Sequence, residues 1–379
     1  ISAATPYCDL VMRGTWIGLT ALPISAVFLL TVAVLLNIPL RRQGRGFTRA
    51  ELLTLFCMTL AAAGIASFGL TGLLIPYMAG PLYFATPENH YTDALIERLP
   101  AWVLAPGTDS ARWLYEGLPE GTPIPWLPWL VPLAMWSLLA GAVYLVFFCL
   151  ASLLRRPWAD EEKLVFPLVQ LPVELTRYDG KSAVPPLLRD PAFWIAFVIP
   201  FGLHTLNGLT RYLANMPSFD FHRVDVGQHL QGPVGAAVKP LWIRVLFSII
   251  GLTYLLPSDV SFSLWFCYFF FLAQQAIAAR LGYTMTMVQA YPVREFVGQQ
   301  MIGGILIFGG YLLWNARRHL LRALRMALEK PKPGEGSDEP IPPHLAVRGA
   351  ALGMAIILLW GTLAGAGAVR TLLLFMLFF

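Results

Sequence analysis

The chain contains apolar runs of the length that a helix needs to cross a membrane. Residues 16–40, for example, carry no charged side chain and end at Arg41 and Arg42. A membrane-spanning helix requires about 20 mainly apolar residues, whereas membrane β-barrels show short segments of alternating polarity. With 57% hydrophobic and 13% charged residues, a soluble domain of 379 residues could not bury this much apolar surface. We therefore predict an all-α fold, a polytopic transmembrane helical bundle.

About eight to nine spans are expected in this chain. The predicted spans are residues 16–40, 52–80, 127–154, 191–210, 241–257, 260–279, 299–315 and 346–368. Residues 81–126 are rich in proline, glycine and acidic side chains, which predicts an external cap with short helices at 91–99 and 110–116. Residues 317–330 predict a basic amphipathic helix on the membrane surface, and 331–345 have the composition of a linker.

The distribution of basic residues predicts the orientation of the spans. Loops 41–52, 155–190 and 316–348 hold 17 Lys and Arg, and the loops on the opposite side hold 8. Because cytoplasmic loops are enriched in Lys and Arg, we predict that these three loops are cytoplasmic and that 81–126 is external. The net charge of +5 is spread over short loops. We therefore predict a lipid bilayer as the surrounding partner and no nucleic-acid partner.

The stretch 155–175 is the most unusual part of the chain. It opens with an arginine pair, continues through the charged residues 160–163, and enters an apolar segment that Pro167 and Pro172 are expected to break. Such a segment is costly against lipid and is tolerated where protein or water covers it. An ordinary cytoplasmic loop followed by an interfacial helix is the alternative interpretation.

Two charged residues of this stretch are candidates for a solute or ion path. Lys163 and Glu174 would lie near the cytoplasmic mouth of such a path. Glu174 is equally compatible with a solvated residue paired with Arg177.

Three further candidates lie in or beside predicted spans, where polar groups are costly. Asp259 follows a third expected helix break at Pro257 and could bind a proton or a cation. Alternatively, Ser258 and Asp259 form an ordinary helix N-cap. His204 and Asn207 are three residues apart and so share a helix face, where they would either line the path or bond to a neighbouring helix.

Motifs of soluble enzymes are absent from the sequence. It has no GxxxxGKS/T, HExxH, GxSxG or CxxC pattern, so ATP hydrolysis and zinc proteolysis have no support. The four cysteines (Cys8, Cys57, Cys149 and Cys267) lack metal-binding spacing. We expect no enzymatic activity, no cofactor and no metal site. An intramembrane enzyme would need a paired nucleophile and base, which one sequence does not reveal.

Short motifs resemble a known transporter superfamily. The segment Lys163-Leu-Val-Phe-Pro167 resembles the K-L-x-Y/F-P segment of the oligopeptide transporters, which include the yellow-stripe-like metal-chelate carriers. Residues 168–172 depart from the small-residue-rich stretch that follows in that superfamily. The chain is more similar to an uncharacterised group of bacterial polytopic membrane proteins distantly related to it. The segments that carry this similarity are 84–91, 158–175, 257–270 and 316–320.

The resemblance implies a larger protein made of two repeated halves in the bacterial inner membrane. Residues 1–330 would form the first half, 331–345 a cytoplasmic linker, and 346–379 the start of the second half. The resemblance also implies proton-coupled uptake of peptides or related small solutes. The first hypothesis is therefore an ion-coupled secondary transporter of a small organic solute. The second is a non-transporting structural subunit of a larger membrane assembly, either a homo-oligomer or a complex with other proteins.

Overall fold

The computed structural model is almost entirely helical in the part of the chain that it describes. The described residues are 2–12, 17–18, 22–66, 70–161, 166–180, 182–210, 212–213, 224–239, 241–283, 295–328 and 341–379. The α-helices, in chain order, are α1 (Ala4–Pro6), α2 (Ile24–Arg42), α3 (Arg49–Ile65), α4 (Thr71–Tyr83), α5 (Thr108–Glu116), α6 (Trp126–Arg156), α7 (Pro167–Leu175), α8 (Pro191–Leu209), α9 (Gly232–Val238), α10 (Phe247–Tyr254), α11 (Ser258–Arg280), α12 (Glu295–Leu328), α13 (Pro343–Leu363) and α14 (Ala368–Phe378).

Shorter elements lie between these helices. Two-residue strands β1 (Val224–Asp225) and β2 (Trp242–Ile243) pair antiparallel, with Val224 opposite Ile243. Turns of π-helix occupy Tyr7–Val11, Thr92–Ile96 and Pro157–Glu161, and 3-10 turns occupy Pro186–Arg189 and Gly227–His229. The all-α prediction is confirmed.

Five of the described helices are long and apolar enough to cross a membrane. They are Ile24–Arg42, Trp126–Ala159, Pro191–Leu209, Ser258–Arg280 and Pro343–Leu363. Each corresponds to a predicted span. The range Trp126–Ala159 joins α6 to the first residues of the π-helical turn that follows it. Helices α2 and α6 themselves end where the sequence predicts, at Arg42 and Arg156, in the arginine pairs that follow their apolar runs. The larger number of eight to nine spans stays a prediction.

Three predicted segments differ from the structure. Residues 52–80 form parts of two helices, α3 and α4, which end at Ile65 and begin at Thr71. Residues 241–257 contain strand β2 and then the eight-residue helix α10. Because the backbone of β2 is paired with β1, it cannot continue α10, and α10 alone is too short to cross a membrane.

The third difference concerns the end of span 299–315. This span and the basic segment 317–330 form one continuous helix, α12. No proline or glycine lies between Tyr311 and Leu328, so no residue there favours a helix end. Helix α13 begins at Pro343, inside the predicted linker, and residues 331–340 lie outside the described part of the chain.

The chain divides into two compact units. The first unit contains Thr20–Ala63 and Val165–Gly303, and the second contains Ser2–Leu19, Gly64–Leu164 and Gly304–Phe379. The core of the first unit is built on α2, α3 and α7, through side chains that include Leu30, Leu52 and Leu175.

The second unit is built on the pairing of α6 with α13. Gly353 of α13 lies so close to α6 that a Cβ atom there would be 3.0 Å from the carbonyl oxygen of Ala142. Such close approach of two backbones is how small residues support helix packing in membranes. Gly349, one turn earlier, also faces α6, whereas Gly365, with φ of +88°, lies beyond the end of α13.

The predicted cap, 81–126, folds against α4 and α6 within the second unit. Its short helices are the π-helical turn Thr92–Ile96 and α5, close to the predicted ranges. The amide of Ala105 donates to the carbonyl oxygen of Met78 at 2.9 Å, and Trp136 Nε1 donates to the carbonyl oxygen of Val103 at 3.0 Å. These bonds attach the middle of the cap to both helices.

Candidate functional site

Helix α7 is the short helix that follows the charged part of the central stretch. Pro167 occupies its first turn, where the missing N–H of proline costs no hydrogen bond. Pro167 therefore starts a helix. Pro172 was expected to break the segment, but it lies inside α7 and is almost fully buried. Lys163 lies outside the described residues.

One face of α7 packs against the core of the first unit. Leu175 is 3% exposed and joins the cluster that includes Leu30 of α2. Thr176 closes the end of the helix, because its hydroxyl donates to the carbonyl oxygen of Pro172 at 2.8 Å. At nine residues, α7 is about 13.5 Å long, less than half of a bilayer core of about 30 Å.

Glu174 lies on the exposed side of α7. Its Oε1 is 3.5 Å from Nη1 of Arg177, and both side chains are about half exposed. Arg177 Nε also lies 3.9 Å from the Asp179 carboxylate. This is the geometry that the solvated-pair alternative predicts, and such exposed pairs contribute little to stability.

Asn37 is a fully buried amide that connects three segments of the first unit. Its Nδ2 donates to the carbonyl oxygen of Phe47 at 3.1 Å and to Tyr178 Oη at 3.0 Å, and its Oδ1 accepts from the Phe47 amide at 2.6 Å. The end of α2, the loop before α3 and the chain after α7 are thereby held together. This residue was not among the predicted site residues, although an isolated amide near the end of an apolar run was a usable signal.

Arg41 lies beside two of the partners of this buried amide, Phe47 and Tyr178. The guanidinium of Arg41 lies 3.9 Å from the centre of the Tyr178 ring, a cation–π contact. Arg49 reaches α7, where its Nη2 donates to the carbonyl oxygen of Val173 at 3.5 Å. We call Asn37, Phe47, Tyr178 and Arg41 the Asn37 cluster. It places positive charge next to the end of α7.

The remaining predicted site residues lie on α8 and α11 of the same unit. His204 is exposed on α8, and its ring is 6.1 Å from the Phe247 ring at the start of α10. One turn later, the main-chain carbonyl oxygen of Asn207 accepts a hydrogen bond from the Thr210 hydroxyl at 2.8 Å. The two residues share a helix face, as the spacing predicts.

Asp259 lies in the first turn of α11 and is exposed. The N-cap of this helix is Pro257, and no side chain makes a capping hydrogen bond there. The interpretation of Ser258 and Asp259 as the N-cap was therefore wrong, because Ser258 is already helical. Pro257 separates α10 from α11, as expected of a break. A carboxylate in this position interacts favourably with the positive end of the helix dipole.

The second unit contains a buried acid, Asp9, that was not among the predicted site residues. Asp9 is 4% exposed within the π-helical turn Tyr7–Val11, and its Oδ1 accepts from the Ile17 amide at 3.2 Å. Within the described part of the chain, Asp9 Oδ2 and Thr5 Oγ1 are buried atoms that lack a hydrogen-bond partner. A lone acid in an apolar stretch was the available signal.

Comparison with known proteins gives a family and no function. The full chain, residues 1–379, matches the model of a family of unknown function, DUF6785, and belongs to that family. No curated protein and no solved structure matches it.

Proposed function

We propose that the chain is an ion-coupled secondary transporter of a small organic solute. The observation that carries this proposal is helix α7, an apolar helix that is too short to cross a membrane and packs on the long apolar helix α2. Short, proline-interrupted apolar helices beside full-length spans are typical of secondary transporters, where the helix ends bind the solute or the coupling ion.

The physical reason lies in the ends of a short helix. The first four N–H groups and the last four carbonyl groups of a helix have no partner within it. Lipid cannot pair with them, so a helix that stops inside a membrane has its ends covered by protein or exposed to water. Another short apolar helix, α10, ends at Tyr254, just before Pro257 and α11.

The proposal assigns roles to residues of the first unit. Asp259 would bind the coupling proton or cation, His204 and Asn207 would line the path, and Lys163 and Glu174 would lie at its cytoplasmic mouth. The resemblance to oligopeptide transporters favours di- and tripeptides as the first solutes to test. No catalytic step and no cofactor form part of the proposal.

The proposed location is the bacterial inner membrane. Loops 41–52, 155–190 and 316–348 would face the cytoplasm and the cap would face outward, which the excess of Lys and Arg in these loops supports.

Uptake into proteoliposomes tests the transport proposal. A mixed pool of di- and tripeptides would be offered under an imposed proton gradient to the wild-type chain, to Asp259→Asn and to Asp109→Asn. Asp109 is the matched control, because it is also an exposed carboxylate in the first turn of a helix, α5. We expect gradient-dependent uptake that Asp259→Asn abolishes and Asp109→Asn retains. Absence of uptake by folded protein would refute peptide transport, and equal uptake by both variants would refute the role of Asp259.

A structural subunit is the second candidate function. Helix α8 has no buried residue and α11 has only Gln275, although both are described over their full length. These helices thus leave apolar surface for lipid or for another protein. Light scattering in detergent measures the protein mass of the particle and so shows whether the chain assembles with other copies. A particle with a protein mass of several times 42.0 kDa, together with an absence of uptake, would favour the subunit.

A further inference from the structure

The cap of the second unit contains a cavity walled by aromatic rings. Its volume is about 480 Å³, within the range of small-molecule sites. The rings in its wall belong to Tyr77, Phe84, Tyr91 and Tyr115, and we call it the cap cavity. Its remaining lining residues are aliphatic side chains, prolines and a glycine of α4 and of the turn at Leu95.

The rings are held in place by contacts on their outer side. Tyr115 stacks on Tyr83, with ring centres 4.5 Å apart, and meets the edge of Phe84 at 5.3 Å. The Tyr115 hydroxyl donates to the carbonyl oxygen of Pro76 at 3.0 Å. The protein thus fixes the position of the Tyr115 ring, which also lines the cavity.

A carboxylate lies directly behind these rings. The Tyr83 hydroxyl donates to Glu116 Oε1 at 3.3 Å. Burial, and then the charge of Glu116, raise the pKa of Tyr83, so this phenol stays neutral. Burial likewise raises the pKa of Tyr115. The aromatic wall therefore consists of neutral, electron-rich rings with a negative charge at their back.

The wider cap has the same sign of charge. Residues 81–126 contain six acidic and two basic residues. One of the basic residues, Arg112, lies 3.9 Å from Asp109 and 3.9 Å from Glu116, so two carboxylates balance its charge. The surroundings of the cap cavity therefore favour positively charged ligands.

We propose that the cap cavity binds a small organic cation that carries an ammonium or quaternary ammonium group. The faces of aromatic rings attract such cations, and several rings around one cavity form the arrangement that recognises them. The nearby carboxylates add attraction without a direct ion pair. The proposal deepens the transport proposal, on which it rests for its biological meaning, because it names the solute class received at the external side.

Equilibrium binding tests the inference without requiring transport. Isothermal titration calorimetry on the full chain in lipid nanodiscs would use tetramethylammonium and choline, with 3,3-dimethylbutanol as the uncharged analogue of choline. We expect saturable binding of both cations and no binding of the alcohol over the same concentrations.

Two tyrosine variants locate the site. Tyr77 is 75% exposed, so replacing it should not disturb the fold. We expect Tyr77→Leu to raise the Kd for tetramethylammonium about 3- to 30-fold, the range of one cation–π contact, and Tyr77→Phe to stay within about 2-fold. Tyr144→Leu is the matched control, since Tyr144 is also exposed, at 52%, and lines a different cavity.

The results separate this inference from the transport proposal. Equal affinity for choline and its uncharged analogue, or equal effects of Tyr77→Leu and Tyr144→Leu, would overturn the cation site. Cation binding by a chain that shows no uptake would uphold the site and refute transport. Peptide uptake by a chain that binds no organic cation would uphold transport and refute the cation site.

Discussion

The contact between α6 and α13 makes a sharp prediction about one glycine. A Cβ atom added at Gly349 would lie 2.7 Å from Cys149 Sγ, and the next atom, of Leu145, is 3.9 Å away. Ordinary van der Waals contacts of Cβ atoms begin near 3.4 Å. Gly349→Ala therefore collides with one sulfur atom and with almost nothing else. We expect it to destabilise the pairing of the two helices.

The magnitude follows from two opposing effects. Adding a methyl group to a filled contact costs about 1–3 kcal/mol, whereas replacing glycine by alanine in a helix contributes about 0.5–1 kcal/mol of stability. The net loss is then about 0–2.5 kcal/mol, centred near 1 kcal/mol. Gly141→Ala on α6 is the matched control, because a Cβ atom there would meet nothing within 4 Å. We expect that variant to be neutral or slightly stabilised.

A double-mutant cycle isolates the cause. Cys149→Ala removes the sulfur, so Gly349→Ala in that background should fill the vacated space and recover most of the lost stability. At Gly353 the obstacle includes the carbonyl oxygen of Ala142, which no substitution removes, and the same rescue should fail. Stability would be measured by thermal and SDS-induced unfolding, followed by tryptophan fluorescence. Equal stability of Gly349→Ala and Gly141→Ala, or additive effects in the cycle, would refute the packing argument.

Three further predictions concern the first unit and the orientation of the chain. Asn37→Leu should lower the free energy of unfolding by about 1–3 kcal/mol, because buried partners lose their hydrogen bonds, as thermal unfolding would show. Two hydrogen bonds from Thr48 lower the pKa of Glu51 below its ordinary value of 4.5. Its contribution to stability is therefore present above pH 4.5 and is lost as the pH falls through the lowered pKa, so the stability difference from Glu51→Gln should shrink in acid. A membrane-impermeant maleimide should label Glu120→Cys on intact cells and Gln43→Cys only after permeabilisation; the opposite result would reverse the predicted orientation.

The helix ends that the sequence predicts correctly are those marked by residues within or next to the helix itself. Apolar runs that end in arginine pairs gave the ends of α2 and α6, and proline at 191 and at 257 marked the starts of α8 and α11. Hydrophobicity and helix-start residues act over a few positions, so a single sequence contains them. The same reasoning failed for 241–257, where pairing with a distant strand decides the structure.

The Asn37 cluster could not be predicted because its partners are distant in the chain. Tyr178 is 141 positions away, and its role depends on how α7 packs on α2. The cap cavity depends in the same way on tertiary contacts, since Tyr77 belongs to α4 and Tyr115 to α5. The sequence showed that the cap is acidic but not which rings meet. Glu174 pairs with Arg177, which is only three positions away and so could be named as its partner from the sequence.

Some apolar helices of this chain pack closely, and others bury almost no side chain. This difference indicates which helices could move in a transport cycle. Small residues of α13 allow it to lie against the backbone of α6, and a contact of this closeness leaves little room for sliding. Helices α8 and α11 bury almost no side chain, and a Cβ atom added at Gly202 or Gly208 of α8 would meet nothing within 4 Å. Alternating access moves one group of helices against another around the solute site. Because movement is least costly where few buried side chains must separate, α8 and α11 should move in a transport cycle, and the α6–α13 contact should persist through it. The residues proposed for the ion and solute path, His204 and Asp259, lie on these two loosely packed helices.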